Sequence, residues 1–139
     1  MTMHKKLHFV SLVILIVVLA VSLASCCGLV SDSLCSVEKT ATLPSPDGKN
    51  KVVVRVRNCG ATTDYVTEVS IVPLSRENIT GYGNTFRIKG FLDIPDDLEI
   101  TWQSNNKLLI TYPADQTIYK SEDRVRRVTV TYQEREKGP

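Results

Sequence analysis

The chain has 139 residues, with 17 basic and 15 acidic side chains and a formal net charge of +2. This length suits one domain with a modest core. Both excess cations, Lys5 and Lys6, precede a hydrophobic segment, and the neutral remainder has no long-range attraction to nucleic acid, so we expect no nucleic-acid partner.

The N-terminal segment has the layout of a secretory signal. Lys5 and Lys6 precede the 16 residues from Phe9 to Ala24, which are nearly all apolar, and small residues follow. The cations favour retention of the N-terminus in the cytoplasm. We therefore expect the rest of the chain to lie outside the cytoplasm, in the periplasm or at the cell surface.

The end of this segment suggests how the chain is held at the membrane. The sequence from Leu23 to Cys26 (LASC) resembles the lipobox of bacterial lipoprotein signal peptides. In that class the cysteine thiol is lipidated, the chain is cut just before it, and the new amino group is acylated. The resemblance implies lipid attachment at Cys26 and a signal peptide at residues 1–25. Several acyl chains exceed the two signals that stable anchoring needs.

Two other topologies stay open. No charge occurs from Phe9 to Val30. These residues would form a helix of roughly 33 Å, which is enough to cross a bilayer core of about 30 Å without cleavage. Ordinary secretion with cleavage is the other possibility. The membrane is thus expected as a partner, through lipid or through an N-terminal helix.

The four cysteines indicate a disulfide. If lipid occupies Cys26, then Cys27, Cys35 and Cys59 remain, and three pairings are possible. Disulfides persist outside the cytoplasm. We favour Cys35 with Cys59, because Cys27 would lie against the membrane. Closing that loop stabilises a fold by roughly 3 kcal/mol in the chain-entropy model. Three free thiols are the alternative.

The folded domain is expected to begin near Pro44. Residues 26–43 show no clear period and are interpreted as a tether. Ser45 to Gly48 (SPDG) has the chemistry of a β-turn, because proline presets φ and glycine closes the turn. We place the β-domain at residues 44–133 and a charged tail at residues 134–139.

Alternating polar and apolar residues predict an all-β fold. Strands are expected at residues 51–57, 65–72, 86–88, 98–103, 108–112 and 127–132. They predict five or six antiparallel strands in a small sheet, sandwich or partial barrel after an N-terminal hydrophobic helix. In the first strand the valines share one face, and Arg55 and Arg57 are expected on the solvent face. Residues 74–84 form a loop in which Gly81 to Asn84 is expected to be the most flexible part.

Two turns carry a resemblance to known proteins. Ser45 to Lys49 (SPDGK) and Asn58 to Thr63 (NCGATT) together resemble a group of short, uncharacterised bacterial envelope proteins. These share an N-terminal hydrophobic segment, an S-P-D-G-K turn and a C-G-A-T-T turn. The match covers about residues 44–72 well and residues 98–132 loosely. It implies a bacterial origin and a shared fold, and it carries no activity.

Catalytic chemistry has little support in this sequence. No histidine follows His8, which removes the commonest general base and transition-metal ligand. One acidic cluster is present, made of Asp93, Asp96, Asp97 and Glu99. Its spacing fits no standard calcium loop, which favours a solvated loop. We expect no catalytic residues, no cofactor and no metal site.

These observations predict a non-catalytic, membrane-anchored envelope lipoprotein whose β-domain binds or supports another envelope component. One alternative is an inhibitor or immunity-type protector against a hydrolase or toxin, with residues 74–84 as the inserted loop. A second alternative is an enzyme that depends on the carboxylates of the acidic cluster.

Overall fold

The computed structural model describes residues 12–18 and 35–136. Residues 12–18 form a short helix, and the chain divides into two units, Met1–Leu34 and Cys35–Pro139. Within the described ranges, no helix has the length and hydrophobicity needed to span a bilayer. The proposed lipid attachment at Cys26 lies outside the described residues, as do residues 26–34 of the expected tether.

The second unit is all-β, which confirms the predicted fold class. Over residues 35–136 its nine strands are β1 (Ser36–Pro44), β2 (Asn50–Asn58), β3 (Val66–Pro73), β4 (Phe86–Lys89), β5 (Glu99–Ser104), β6 (Lys107–Pro113), β7 (Ile118–Ser121), β8 (Arg124–Val125) and β9 (Val128–Arg135). They form a five-stranded sheet in the order β1-β2-β3-β4-β7 and a four-stranded sheet in the order β5-β6-β9-β8. All six predicted strands are present, within three residues at each end.

The two sheets enclose one apolar core. Alternate side chains of β2, β3 and β4, such as Val54, Ile71 and Phe86, contact those of β6 and β9, such as Ile110. The Phe86 ring lies 5.3 Å from the ring centroids of both Tyr112 and Tyr132. These tyrosines, like Trp102 on β5, occupy inward positions and pack in or against the core.

Three details of the expected arrangement are wrong. The fold has nine strands in the described residues, not five or six, because β1, β7 and β8 were not predicted. The strands are not all antiparallel, since β6 and β9 pair in parallel. Their connection includes β7 and β8, and this length allows the chain to return in the same direction. Strand β9 also continues to Arg135, two residues into the expected charged tail.

The domain begins at Cys35 and not near Pro44. Strand β1 occupies residues that were expected to belong to the tether, and it pairs with β2 along its whole length. The Cys35–Cys59 disulfide, with the expected pairing, links the residue before this strand to the residue after β2. At the other end, the Trp102 indole donates a hydrogen bond of 3.2 Å to the Leu43 carbonyl, which joins the two sheets.

The β1–β2 connection is the turn that the sequence predicts. The Gly48 amide donates to the Ser45 carbonyl at 2.9 Å, and Gly48 has a φ of +65°, a value that glycine adopts without strain. The Ser45 hydroxyl donates to the Asp47 carboxylate at 2.7 Å. That hydrogen bond, followed by one from the Lys49 amide, lowers the pKa of Asp47. The turn therefore sets the register of β1 on β2.

Candidate functional site

A group of charged side chains lies on the outer face of the five-stranded sheet. In the register of the strands, Arg55 on β2 faces Glu68 on β3, and Glu68 faces Arg87 on β4. Arg57 lies two residues after Arg55 and therefore points to the same face. We call Arg55, Arg57, Glu68 and Arg87 the arginine cluster.

Two of these arginines are buried, which corrects the expectation that they point into solvent. Arg55 is 6% exposed, Arg57 is 4% exposed and Glu68 is fully buried. The reason is that residues 74–85, which connect β3 to β4, supply the groups that enclose this face. Strand β2 is thus covered on both sides.

Glu68 is the centre of the arginine cluster. Its Oε2 lies 3.1 Å from Nη2 of Arg55, and its Oε1 lies 3.0 Å from Nε of Arg57 and 3.7 Å from Nε of Arg87. Three guanidinium groups therefore share one carboxylate. At ordinary pH the cluster carries an excess of two positive charges.

Backbone carbonyls of the covering loop accept further hydrogen bonds from the two buried arginines. Arg55 donates to the Ile79 carbonyl at 2.7 Å and to the Gly81 carbonyl at 2.9 Å, while Arg57 donates to the Gly81 carbonyl at 2.8 Å. These contacts fix the path of the loop over the sheet. The Gly81 to Asn84 segment is therefore held against the sheet, whereas the sequence suggested an open, flexible loop.

Gly83 permits the close approach of this loop. A Cβ atom at residue 83 would lie 2.9 Å from Cβ of Glu68 and 3.2 Å from both the Phe86 carbonyl oxygen and the Val69 amide nitrogen. Two of these neighbours are backbone atoms and cannot move aside easily. Glycine is required at this position for steric reasons.

Tyr82 is displayed above the arginine cluster. Its ring centroid lies 4.4 Å from Cζ of Arg57 and 4.5 Å from Cζ of Arg87, which is cation–π geometry. Cζ of Arg87 also lies 6.0 Å from the ring centroid of Tyr119 on β7. Tyr82 is 53% exposed and Tyr119 is 48% exposed. We call Tyr82, Arg87 and Tyr119 the Arg–Tyr surface.

Arg87 differs from the other two arginines of the cluster. Its side chain is 26% exposed, and its nearest carboxylate oxygen is 3.7 Å away. Its Nε atom is buried and has no hydrogen-bond acceptor among the residues that the structure describes. Arg87 therefore combines a stacked, oriented guanidinium with partial exposure at the surface.

The acidic cluster is organised differently from a metal site. The Asp97 carboxylate accepts the Asp93 backbone amide at 3.3 Å, and Arg135 donates to the Asp96 carbonyl at 2.6 Å and pairs with Glu99 at 3.2 Å. Asp96 and Asp97 line a cleft of about 280 Å³. Across residues 12–18 and 35–136, no three Asp, Glu, His or Cys side chains are grouped closely enough to hold a metal ion.

Reasoning from the sequence did not identify the arginine cluster. Arg55 and Arg57 alternate with valines, a pattern typical of an exposed face. The signal that could have revealed it is Glu68, the single charged residue of β3, which a buried strand accommodates only beside a cation. No family model, curated protein or solved structure matches this chain.

Proposed function

We propose that this chain is a non-catalytic, membrane-anchored envelope protein whose β-domain lies outside the cytoplasm and binds another envelope component through the Arg–Tyr surface. The observation that supports binding is the exposure of Tyr82 and Tyr119 around Arg87, over a buried cluster that holds Arg87 and Tyr82 in place. Tyrosine and arginine are the residue types most enriched, with tryptophan, at the energetic centres of protein interfaces.

The energetics of the arginine cluster favour a binding role over a purely structural one. Burying Arg55, Arg57 and Glu68 removes three charges from water, and apolar side chains of similar volume often stabilise a fold equally well or better. The buried charges instead fix the position of the loop, because Arg55 and Arg57 donate hydrogen bonds to the Gly81 carbonyl just before Tyr82. A binding residue that is held in place before contact loses less conformational entropy when its partner arrives.

The location of the domain is supported by its cysteines and by the N-terminal sequence. The Cys35–Cys59 disulfide suits an oxidising compartment outside the cytoplasm. The hydrophobic segment with its lipobox-like end provides the anchor, with Cys26 as the lipid attachment residue and an uncleaved helix as the alternative.

A protector against a hydrolase or toxin is the second candidate. It is favoured by the way in which Arg55 and Arg57 fix the carbonyls of residues 79 and 81, because an inhibitory loop gains affinity when its backbone is already in the bound shape. This role uses the same face of the sheet, so the identity of the bound protein separates the two functions.

Site-specific photo-crosslinking in native membranes tests the binding function. A benzophenone amino acid at Tyr82 of the full chain should give one dominant protein adduct. The same group at Thr101, an exposed residue of β5 in the other sheet, should not give that adduct. A resident envelope protein in the adduct supports the first function, and a secreted hydrolase supports the second. Absence of a specific adduct at both Tyr82 and Tyr119 would overturn the binding proposal.

Two measurements test the anchor and the topology. The mass of the purified protein should correspond to residues 26–139 with attached lipid, and an intact, lipid-free chain from Met1 to Pro139 would contradict lipidation. A Thr101→Cys variant should react with a membrane-impermeant maleimide in intact spheroplasts, and the parent chain provides the background. Labelling that occurs only after lysis would contradict an external domain.

A further inference from the structure

We infer that Arg87 is a carboxylate-binding site, in which the guanidinium between Tyr82 and Tyr119 accepts one carboxylate group of the ligand. This inference rests on the proposed function, because it specifies the chemistry by which the Arg–Tyr surface recognises its partner. The occupant is a carboxylate group of the bound component.

The charge distribution around Arg87 leaves it without a close counter-ion. Glu68 is engaged by Arg55 and Arg57 at 3.1 and 3.0 Å, and approaches Arg87 only to 3.7 Å. Charged hydrogen bonds are normally 2.7–2.9 Å long, so this contact does not satisfy the guanidinium.

The lysines next to Arg87 already have partners. Lys120, which faces Arg87 in the register of β4 and β7, pairs with Glu122 at 2.9 Å. Lys89, two residues beyond Arg87 on the same face, pairs with Asp64 at 2.9 Å. Of the cationic residues in β4 and β7, Arg87 is therefore the one without a close partner among the described residues.

Access restricts the contact to Arg87. The side chains of Arg55 and Arg57 are 7% and 5% exposed, whereas that of Arg87 is 26% exposed. Their positive charges still act on the site, because buried charges are poorly screened by salt. The cluster thus supplies an attractive field, and Arg87 supplies the hydrogen bonds.

The geometry favours a carboxylate over a larger anion. A guanidinium is planar and matches the two oxygens of a carboxylate with parallel hydrogen bonds. Tyr82 and Tyr119 flank it with apolar ring surface, which excludes water from the sides of such a pair. A phosphate dianion would meet only one accessible guanidinium of the arginine cluster, so its second negative charge would have no partner there.

The site can be tested with acetate as the probe. The full chain in detergent micelles, labelled with ¹⁵N in arginine, is titrated with sodium acetate at pH 7, with sodium chloride and sodium phosphate at matched ionic strength. Acetate should shift the Arg87 Nε–H signal and saturate between about 10 and 100 mM, the range of a single charge-assisted pair. Chloride should produce no saturable shift.

Variants identify the residue responsible. In Arg87→Gln, any response of the Arg57 Nε–H signal to acetate should be lost, because Arg57 shares Glu68 and the Tyr82 ring with Arg87. Arg87→Lys keeps the charge without the planar fork and should weaken acetate binding at least threefold. Arg124→Gln, which removes an exposed arginine of β8 in the other sheet, is the matched control and should leave the response unchanged.

Four outcomes would overturn the inference. They are no saturable response to acetate, an equal shift with chloride, a saturable response to phosphate but not to acetate, and an unchanged acetate response in Arg87→Gln. The titration needs neither partner nor cell membrane, so its failure is separable from failure of the proposed function. If acetate has no effect while crosslinks at Tyr82 persist, the carboxylate site is wrong and the binding function stands.

Discussion

Replacement of Glu68 by glutamine should destabilise the domain more than any other single change in the arginine cluster. The substitution keeps the shape of the side chain and removes the one negative charge that faces Arg55, Arg57 and Arg87. The guanidinium groups would then be held together without a counter-ion, and the glutamine amide would add hydrogen-bond donors where acceptors are needed.

The size of the effect follows from burial and distance. Charges about 4 Å apart attract by about 4 kcal/mol at an effective dielectric constant of about 20, and Glu68 makes two such close pairs. The cost of keeping Glu68 out of water offsets part of this attraction. Removal of one partner from a buried ion pair costs about 3–5 kcal/mol overall, which we expect for Glu68→Gln.

Urea unfolding of the full chain in detergent, followed by circular dichroism, measures this loss. Arg87→Gln is the matched control, because its side chain is partly exposed and its contact with Glu68 is 3.7 Å long. It should lose less than about 1 kcal/mol. If Glu68→Gln does not fold, addition of Arg57→Met should restore part of the stability by removing one uncompensated cation. A loss below about 1 kcal/mol for Glu68→Gln would refute the account of the cluster.

The remaining predictions concern packing, the disulfide and pH. Gly83→Ala should lower the free energy of unfolding by about 1–3 kcal/mol, because the added methyl group overpacks the site. Gly81→Ala has open space around the new methyl group but a φ of +73°, and it should lower the free energy of unfolding by about 1 kcal/mol. Equal losses in urea unfolding would contradict the steric reason. Cys59→Ser should lower the free energy of unfolding by about 3 kcal/mol, and an unchanged value in non-reducing buffer would show that the disulfide does not stabilise the fold. Burial raises the pKa of Tyr132 above 10.0, so the unfolded chain releases this proton first and stability should fall as pH rises beyond about 10. Tyr132→Phe should flatten that decline, and an identical slope in thermal melts would contradict the assignment.

Strands with regular alternation could be predicted from the sequence. In β2, valines at every second residue face the core, and the same holds for Leu108 and Ile110 in β6. The turns at residues 45–48 and 104–107 were also evident, because proline, glycine and asparagine favour them for local conformational reasons. These strands and turns are determined by the chemistry of neighbouring residues, which can be read directly from the sequence.

Strand β1 was missed because its alternation changes phase. Val37 faces Arg57 on the outer side, while Leu43 faces Val52 on the core side, although both residue numbers are odd. A β-bulge between Lys39 and Ala41 adds one residue and reverses the pattern. Strands β7 and β8 have four and two residues, which is too short for any period to be evident.

The candidate site could not be predicted because it depends on pairing between distant segments. Arg55 and Glu68 are 13 residues apart in the chain, and their contact exists only in the β2–β3 register. The cover over them comes from residues 74–85, whose small and polar residues are typical of an exposed loop. Its position against the sheet results from hydrogen bonds that its carbonyls accept from arginines that the pattern assigned to solvent.

The position of the disulfide determines how the domain responds to tension. Any pull on the chain that precedes Cys35 passes through the Cys35–Cys59 bond into the junction of β2 and β3. Strand β1 lies inside the covalent loop, so its hydrogen bonds to β2 bear little of the load and the strand is not peeled from the sheet edge. With the bond reduced, the same pull would act first on the Ser36–Asn58 pair and open the ladder one residue at a time. The crosslink thus gives mechanical protection at the point where the chain enters the domain.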